Sequence, residues 1–175
     1  MRIFISGGCK NGKSFYAQTL CGSMRPTGSP LYYLATMVPA DDEDRQRIEK
    51  HQHEREGWGF ETVEVERDIL KAASTCDVTG TFLLDSVTAL LANEMFDRYG
   101  NVPSVAPQKV AEELTQLTTK IDNIVFVSDY IYSDAARYDP LTEEYRRGLA
   151  FVDRTLANVC DSVLELSGGN VITHK

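Results

Sequence analysis

The sequence predicts an α/β fold, a mostly parallel sheet flanked by helices with a C-terminal β-hairpin, and three features carry that prediction. A phosphate-binding loop, Gly7-Gly8-Cys9-Lys10-Asn11-Gly12-Lys13-Ser14, follows the apolar run Ile3-Phe4-Ile5 and opens a helical pattern. Beyond it, short β-rich runs alternate with longer segments of helical periodicity, the pattern of parallel strands joined by crossover helices. Near the end, Gly168-Gly169 separates two short β-type runs and reads as a hairpin turn.

In chain order, strands are expected at 2–6, 31–36, 61–65, 81–85, 124–128 and 162–166, with 170–173 returning from the hairpin. Most of these runs are apolar enough to be buried on both faces. Helices are expected directly after the phosphate loop, where Phe15 to Leu20 continue the pattern, and then at 42–56, 86–98, 106–121 and 141–159. The segment Gly100-Asn101-Val102-Pro103 reads as a loop between two of them. No internal repeat or low-complexity stretch interrupts this order, and 175 residues suit a single nucleotide-binding domain, 1–175.

Composition narrows the function. Hydrophobic content of 42% and charged content of 25% are ordinary globular values, while a net charge of −8 argues against a nucleic-acid surface. Small molecules are the expected partners. Cys9, Cys21, Cys76 and Cys160 form no C-x-x-C pair, so neither a zinc site nor a disulfide framework is indicated, and free thiols suit a cytoplasmic protein. No apolar run reaches the length of a membrane span, and the first residues carry no secretory pattern.

The loop carries specific chemistry. Its glycines let backbone N–H groups face phosphate oxygens, and the helix that follows presents the positive end of its dipole. Lys13 is expected on the β and γ phosphates and Ser14 on Mg²⁺. In open α/β sheets the ligand crevice lies at the carboxyl ends of the strands, which draws attention to Asp85 after Phe82-Leu83-Leu84. A second acidic contact to the metal shell is the functional reading of Asp85, and a helix N-cap, shared with Ser86, is the plain one. Thr36 and Asp129 end other strands and are weaker candidates for site roles.

The segment from Asp41 to Arg55 is a helix too polar for a core. Arg47, His51 and Arg55 fall at i, i+4 and i+8, so one face carries an imidazole between two guanidinium groups. Such a face suits phosphate, and a neutral imidazole held beside it can attack phosphorus. A solvated helix held by i,i+4 ion pairs is the alternative from charge alone, whereas His51 and His53, two residues apart, point to different faces and make a poor metal pair.

The phosphate loop at the extreme N-terminus, the strand ending Tyr33-Leu34-Ala35-Thr36, the helix Arg47-Ile48-x-x-His51-x-x-x-Arg55 with Trp58 and Thr62-Val63-Glu64 after it, and Leu83-Leu84-Asp85-Ser86-Val87-Thr88 with Asn93 occur in one order. That order resembles the bifunctional adenosylcobinamide kinase and adenosylcobinamide-phosphate guanylyltransferase family, over roughly the first hundred residues. The resemblance implies a RecA-like P-loop fold, an oligomer, in the family a trimer, and two reactions in cobalamin biosynthesis. A nucleoside triphosphate, ATP or GTP, phosphorylates a hydroxyl of adenosylcobinamide; GMP from GTP is then transferred onto that phosphate through a guanylylated histidine. By motif position the histidine is His51. Ala35, Thr36, Met37, Gln52, His53, Glu54, Arg55, Glu64 and Asp85 correspond to nucleotide-contacting positions, beside the loop residues Gly7 to Ser14.

The chain also departs from that pattern. Where the family has Asn-Glu-Val-Gly after a strand, this chain has Ser128-Asp129-Tyr130-Ile131-Tyr132, and where the family carries an Arg and Gly pattern ending in Asn-Gln, this chain has Arg146-Arg147-Gly148 and then Asp153-Arg154. These differences leave open a different acceptor or a single retained activity. A P-loop small-molecule kinase without guanylyl transfer and a non-catalytic nucleotide-binding module are the alternatives.

Overall fold

The computed structural model describes residues 1–39, 41–96 and 104–175, without the side chains of Glu43, Asp44, Arg47, Lys50, His51 and Glu54. In order, the chain forms β1 (Arg2–Gly7), α1 (Lys13–Met24), β2 (Leu31–Ala35), α2 (Asp42–Glu54), β3 (Glu61–Glu64), a 3₁₀ turn (Ile69–Lys71) leading into α3 (Ala72–Thr75), and β4 (Thr81–Asp85). It continues through α4 (Val87–Met95), α5 (Ala106–Lys120), β5 (Asn123–Asp129), α6 (Pro140–Val159), β6 (Ser162–Ser167) and β7 (Asn170–Thr173). All seven expected strands are present, and β4 and β7 match their expected ends. The short helical turns at Ile69–Lys71 and Ala72–Thr75 were not expected, because four residues are too few to show a helical period. The expected loop at Gly100 to Pro103, and the end of the helix expected over 86–98, lie outside the described residues.

The seven strands form one sheet in the order β3-β2-β4-β5-β1-β6-β7. Pairings from β3 to β6 are all parallel, and β7 alone runs antiparallel, as the Gly168-Gly169 turn requires. This is the expected P-loop, RecA-like arrangement with a C-terminal hairpin. Strand alternation divides the core between the two faces. Ile3, Ile5, Leu83, Val125 and Val127 face α1, where Ala17 and Cys21, one turn apart and fully buried, let the helix approach closely. Phe4, Phe82, Leu84, Ile124 and Phe126 face the other way, into a larger cluster with Leu90 and Leu91 of α4, Leu114 and Leu117 of α5, and Leu149, Val152 and Leu156 of α6. Because the strands are parallel, Gly7, Ala35, Glu64, Asp85 and Asp129 all reach one edge of the sheet, and register sets Gly7 beside Asp129 and Ala35 beside Asp85. No described helix is long and apolar enough to cross a membrane.

Candidate functional site

The phosphate loop leaves β1 through Gly7, where backbone comes so close that no side chain fits: a Cβ there would lie 2.5 Å from the Leu166 carbonyl oxygen and 2.6 Å from Asn11 Nδ2. Asn11 Nδ2 itself donates to Leu166 O at 2.6 Å, anchoring the loop to β6. Gly12 sits at φ 90°, the left-handed conformation open to glycine, and α1 begins at the next residue. Gly8, Cys9 and Lys10 lie exposed at the turn. Lys13, only 5% exposed, folds back over this loop. Its Nζ donates to Gly8 O at 2.6 Å and pairs with Asp129 Oδ1 at 2.8 Å. Ser14 Oγ, half-buried at the start of α1, has no hydrogen-bond partner among the described residues.

Two strands away, Asp85 ends β4. Its Oδ2 accepts from Tyr33 OH at 2.9 Å. The cap of α4 is Ser86, whose Oγ accepts from Ala89 N at 3.2 Å, so capping does not occupy the Asp85 carboxylate. Thr36 is completely buried and exchanges two hydrogen bonds with Ser86, its Oγ1 accepting from Ser86 N and donating to Ser86 O, each at 2.8 Å. Asn93 Nδ2 then donates to Thr36 O at 2.7 Å and Glu66 O at 3.0 Å, tying the ends of β2 and β3 to α4. Thr36 and Asn93 thus hold the strand ends in place, and Thr36 does not line the cavity beside them.

That cavity, of about 300 Å³, lies between the ends of β2, β3 and β4 and helix α2. Of the residues expected at a nucleotide site, Ala35, Met37, Gln52, Arg55, Glu64 and Asp85 all line it, although they come from separate elements. From α2 the lining residues are Arg45, Ile48, Glu49 and Gln52, the three- and four-residue spacing of one helical face, and Arg55 follows in the turn just after the helix. Arg55 is 7% exposed and stacks its guanidinium 3.6 Å above the Tyr33 ring. The same helix carries exposed i,i+3 ion pairs, Arg45 with Asp42 and His53 with Glu56, so His53 points to solvent rather than to the cavity. The side chains of His51, Arg47 and Glu54 lie outside the described set. Tyr33, Pro39, Arg45, Glu49, Thr62 and Glu66 complete the wall, and none of them was named as a site residue from sequence. The i,i+4 spacing of Arg45 and Glu49 with Ile48 between them was the available signal.

Ser128 and Asp153, the two departures noted in sequence, meet. Ser128 Oγ donates to Asp153 Oδ2 at 3.0 Å, Tyr132 OH donates to the same oxygen at 3.1 Å, and Asp153 Oδ1 is buried with no hydrogen-bond partner among the described residues. Burial pushes the Asp153 carboxyl up to about 7, against the two hydrogen bonds that favour its charged form. The Lys13 partner Asp129 is the next residue after Ser128, and its N–H donates to Thr88 Oγ1 at 2.8 Å.

Among the described residues no cluster of three or more His, Cys, Asp and Glu could enclose a metal ion. Ser14 and Asp85 instead offer one hydroxyl and one carboxylate, hard oxygen donors of the kind Mg²⁺ takes together with substrate phosphates and water.

A family model described as cobinamide kinase / cobinamide phosphate guanyltransferase matches residues 3–173. The bifunctional adenosylcobalamin biosynthesis protein CobU of Escherichia coli (strain K12) is 34% identical over 103 residues, 58% of this chain and 54% of that protein. The match therefore spans about half the length of that relative. Among solved structures, the flagellar accessory protein FlaH of Methanocaldococcus jannaschii superposes at a TM-score of 0.52, with 16% identity over 97% of this chain and 74% of its own. A KaiC-like protein of Pyrococcus horikoshii OT3 gives 0.51, with 16% identity over 99% and 78%. At those identities the likeness is one of fold.

Proposed function

The chain belongs to the cobinamide kinase / cobinamide phosphate guanyltransferase family, and from that premise we propose that residues 1–175 act as one domain that phosphorylates adenosylcobinamide and then guanylylates the product. The observation that carries the proposal is the gathering of Ala35, Met37, Gln52, Arg55, Glu64 and Asp85 around one cavity at the carboxyl edge of the sheet, next to α2. A volume of about 300 Å³ is at the lower end for a small-molecule site and suits a nucleotide held partly in the open crevice.

In the kinase step, backbone N–H groups of Gly8 to Ser14 and the Lys13 ammonium hold the phosphates of ATP or GTP. The acceptor hydroxyl oxygen attacks the γ-phosphorus, the nucleoside diphosphate leaves, and the hydroxyl proton passes to a base, for which Asp129 is the nearest carboxylate to Lys13. Ser14 and Asp85 would hold Mg²⁺, which would supply charge neutralisation on the phosphates. In the second step a neutral His51 nitrogen attacks the α-phosphorus of GTP and expels pyrophosphate; the acceptor's phosphate oxygen then displaces His51 and takes the GMP. Gln52, Arg55 and Glu64 orient the nucleotide, with Ala35 and Met37 as its apolar wall. As an oligomer, a trimer by family likeness, the protein would carry one such site per chain.

Intact-mass analysis after incubation with GTP and Mg²⁺ tests the reading. A gain of one GMP is expected. Phosphorylation of adenosylcobinamide without any adduct would favour a kinase alone, and nucleotide binding without turnover a binding module.

A further inference from the structure

Arg55 and Asp85 carry opposite charges on the wall of one cavity, yet they do not pair. Tyr33 stands between them. Its ring takes the Arg55 guanidinium on one face at 3.6 Å, its hydroxyl donates to Asp85 Oδ2 at 2.9 Å, and the edge contact with Phe60, centroids 6.1 Å apart, fixes the ring plane. Among the described residues nothing else engages the Arg55 guanidinium, although the residue is only 7% exposed. A buried cation stacked on an aromatic face keeps its N–H donors in the ring plane direction available, because the attraction runs through the π-system and uses none of them. A direct Arg55–Asp85 pair would consume both groups: a fork of donors would close on a carboxylate, and neither would be open to a ligand.

We propose that Tyr33 is a positioning residue that holds the Arg55 guanidinium and the Asp85 carboxylate apart, keeping the first open to a nucleotide phosphate and the second open to the phosphate-bound metal. The inference rests on the nucleotide-site reading of this cavity. It adds that one phenol sets both polar arms of the site and links the turn after α2 to the end of β4. Tyr33 lies within the apolar run of β2 and is 5% exposed, so its ring is core while its hydroxyl serves the site.

The experiment is titration calorimetry of GTP on the full chain, in EDTA and across a Mg²⁺ series, for the parent, Tyr33→Phe, and Tyr33→Phe combined with Asp85→Asn. Tyr33→Phe keeps the ring and the packing but releases the carboxylate, which is then drawn toward Arg55, the one cation on its wall that makes no ion pair among the described residues. Affinity in EDTA should fall on the order of tenfold, the loss of one charge-assisted phosphate contact. The Mg²⁺ concentration for half-maximal binding should rise as well. Adding Asp85→Asn removes the competing charge and should restore the metal-free affinity while leaving the Mg²⁺ response weak. Thermal melting of each variant confirms that the fold is kept. Parent-like binding by Tyr33→Phe in both conditions, or failure of the double variant to recover in EDTA, overturns the proposal and leaves the nucleotide site standing. A parent that binds no GTP overturns the nucleotide reading and this inference with it.

Discussion

Lys13 Nζ lies 2.8 Å from Asp129 Oδ1, so the phosphate-loop cation and the carboxylate at the end of β5 form an ion pair at the mouth of the loop. The two groups have opposite effects on a bound polyanion. Lys13→Ala should lower nucleotide-dependent turnover on the order of 10²–10³-fold, as removal of one preorganised charge-stabilising donor does. Asp129→Asn should leave nucleotide affinity unchanged or tighter, since it removes a negative charge near the phosphates and spares the lysine. Binding titrations of both variants decide the matter; equal weakening would mean that the pair serves only to hold the loop.

Asp85 and Ser86 are adjacent, but only Ser86 caps α4. Asp85→Asn should therefore raise the Mg²⁺ requirement of turnover severalfold with little change in melting temperature. Ser86→Ala should do the reverse, costing about 1 kcal/mol of stability through the lost cap. A common effect of both on melting alone would return Asp85 to a structural role.

Gly7 and Gly8 separate geometry from chemistry within the loop. A Cβ at Gly7 would lie 2.5 Å from a backbone oxygen of β6, whereas one at Gly8 meets nothing within 4 Å. Gly7→Ala should destabilise the domain by about 1–3 kcal/mol, the usual cost of overpacking. Gly8→Ala should stay within about 0.5 kcal/mol of the parent. Denaturant unfolding of the two, compared at one temperature, reads the difference directly.

What was legible in the sequence follows from the range of the interactions involved. The strands declared themselves because runs such as Phe82-Leu83-Leu84 are apolar on both faces of a parallel sheet, and the loop because its residue types are dictated by backbone approach to phosphate. Tyr33 was not legible as a site residue: within Leu31-Tyr32-Tyr33-Leu34 it reads as core. Only the β2–β4 register, which sets Ala35 against Asp85, brings its hydroxyl to the carboxylate. The same holds for Ser128 and Asp153, read as separate departures and joined only when α6 docks against β5. His53 looked equivalent to Gln52 in a polar run, but one step around the helix takes it out to solvent and an ion pair with Glu56.

Asp153 makes stability depend on pH. Its carboxyl is raised to about 7 in the folded protein, from about 4 in an unfolded chain. Between those values the folded state binds the extra proton, so this group's contribution to stability is full below about pH 4 and is lost as pH rises through about 7. The groups facing it are Ser128, Tyr132 and, by charge, Asp129, with no cation among them to reverse the sign. Asp153→Asn keeps an acceptor for Ser128 and Tyr132 and removes the titration. Its melting temperature should exceed that of the parent at pH 8 and the advantage should shrink toward pH 5. An advantage independent of pH would show that Asp153 does not titrate in this range.

In the proposed reaction, His51 is the residue on which guanylyl transfer turns. It lies in α2, the helix that supplies Gln52 to the cavity wall and leads directly into Arg55. As a nucleophile its imidazole must be neutral. The phosphorus–nitrogen bond it would form withstands alkali and breaks in acid, the opposite of a phosphate ester on serine. GTP labelled at the α-phosphate should therefore transfer an acid-labile, alkali-stable label to the protein. His51→Ala should abolish that label, while His53→Ala, which alters only a solvent-facing side chain 82% exposed, should retain it. Kinase turnover should persist in His51→Ala at a substantial fraction of the parent rate, because Lys13, Ser14 and Asp85 are unchanged. If His51→Ala takes up label as the parent does, the nucleophile lies elsewhere and α2 is a solvated helix that lends only one face to the nucleotide cavity.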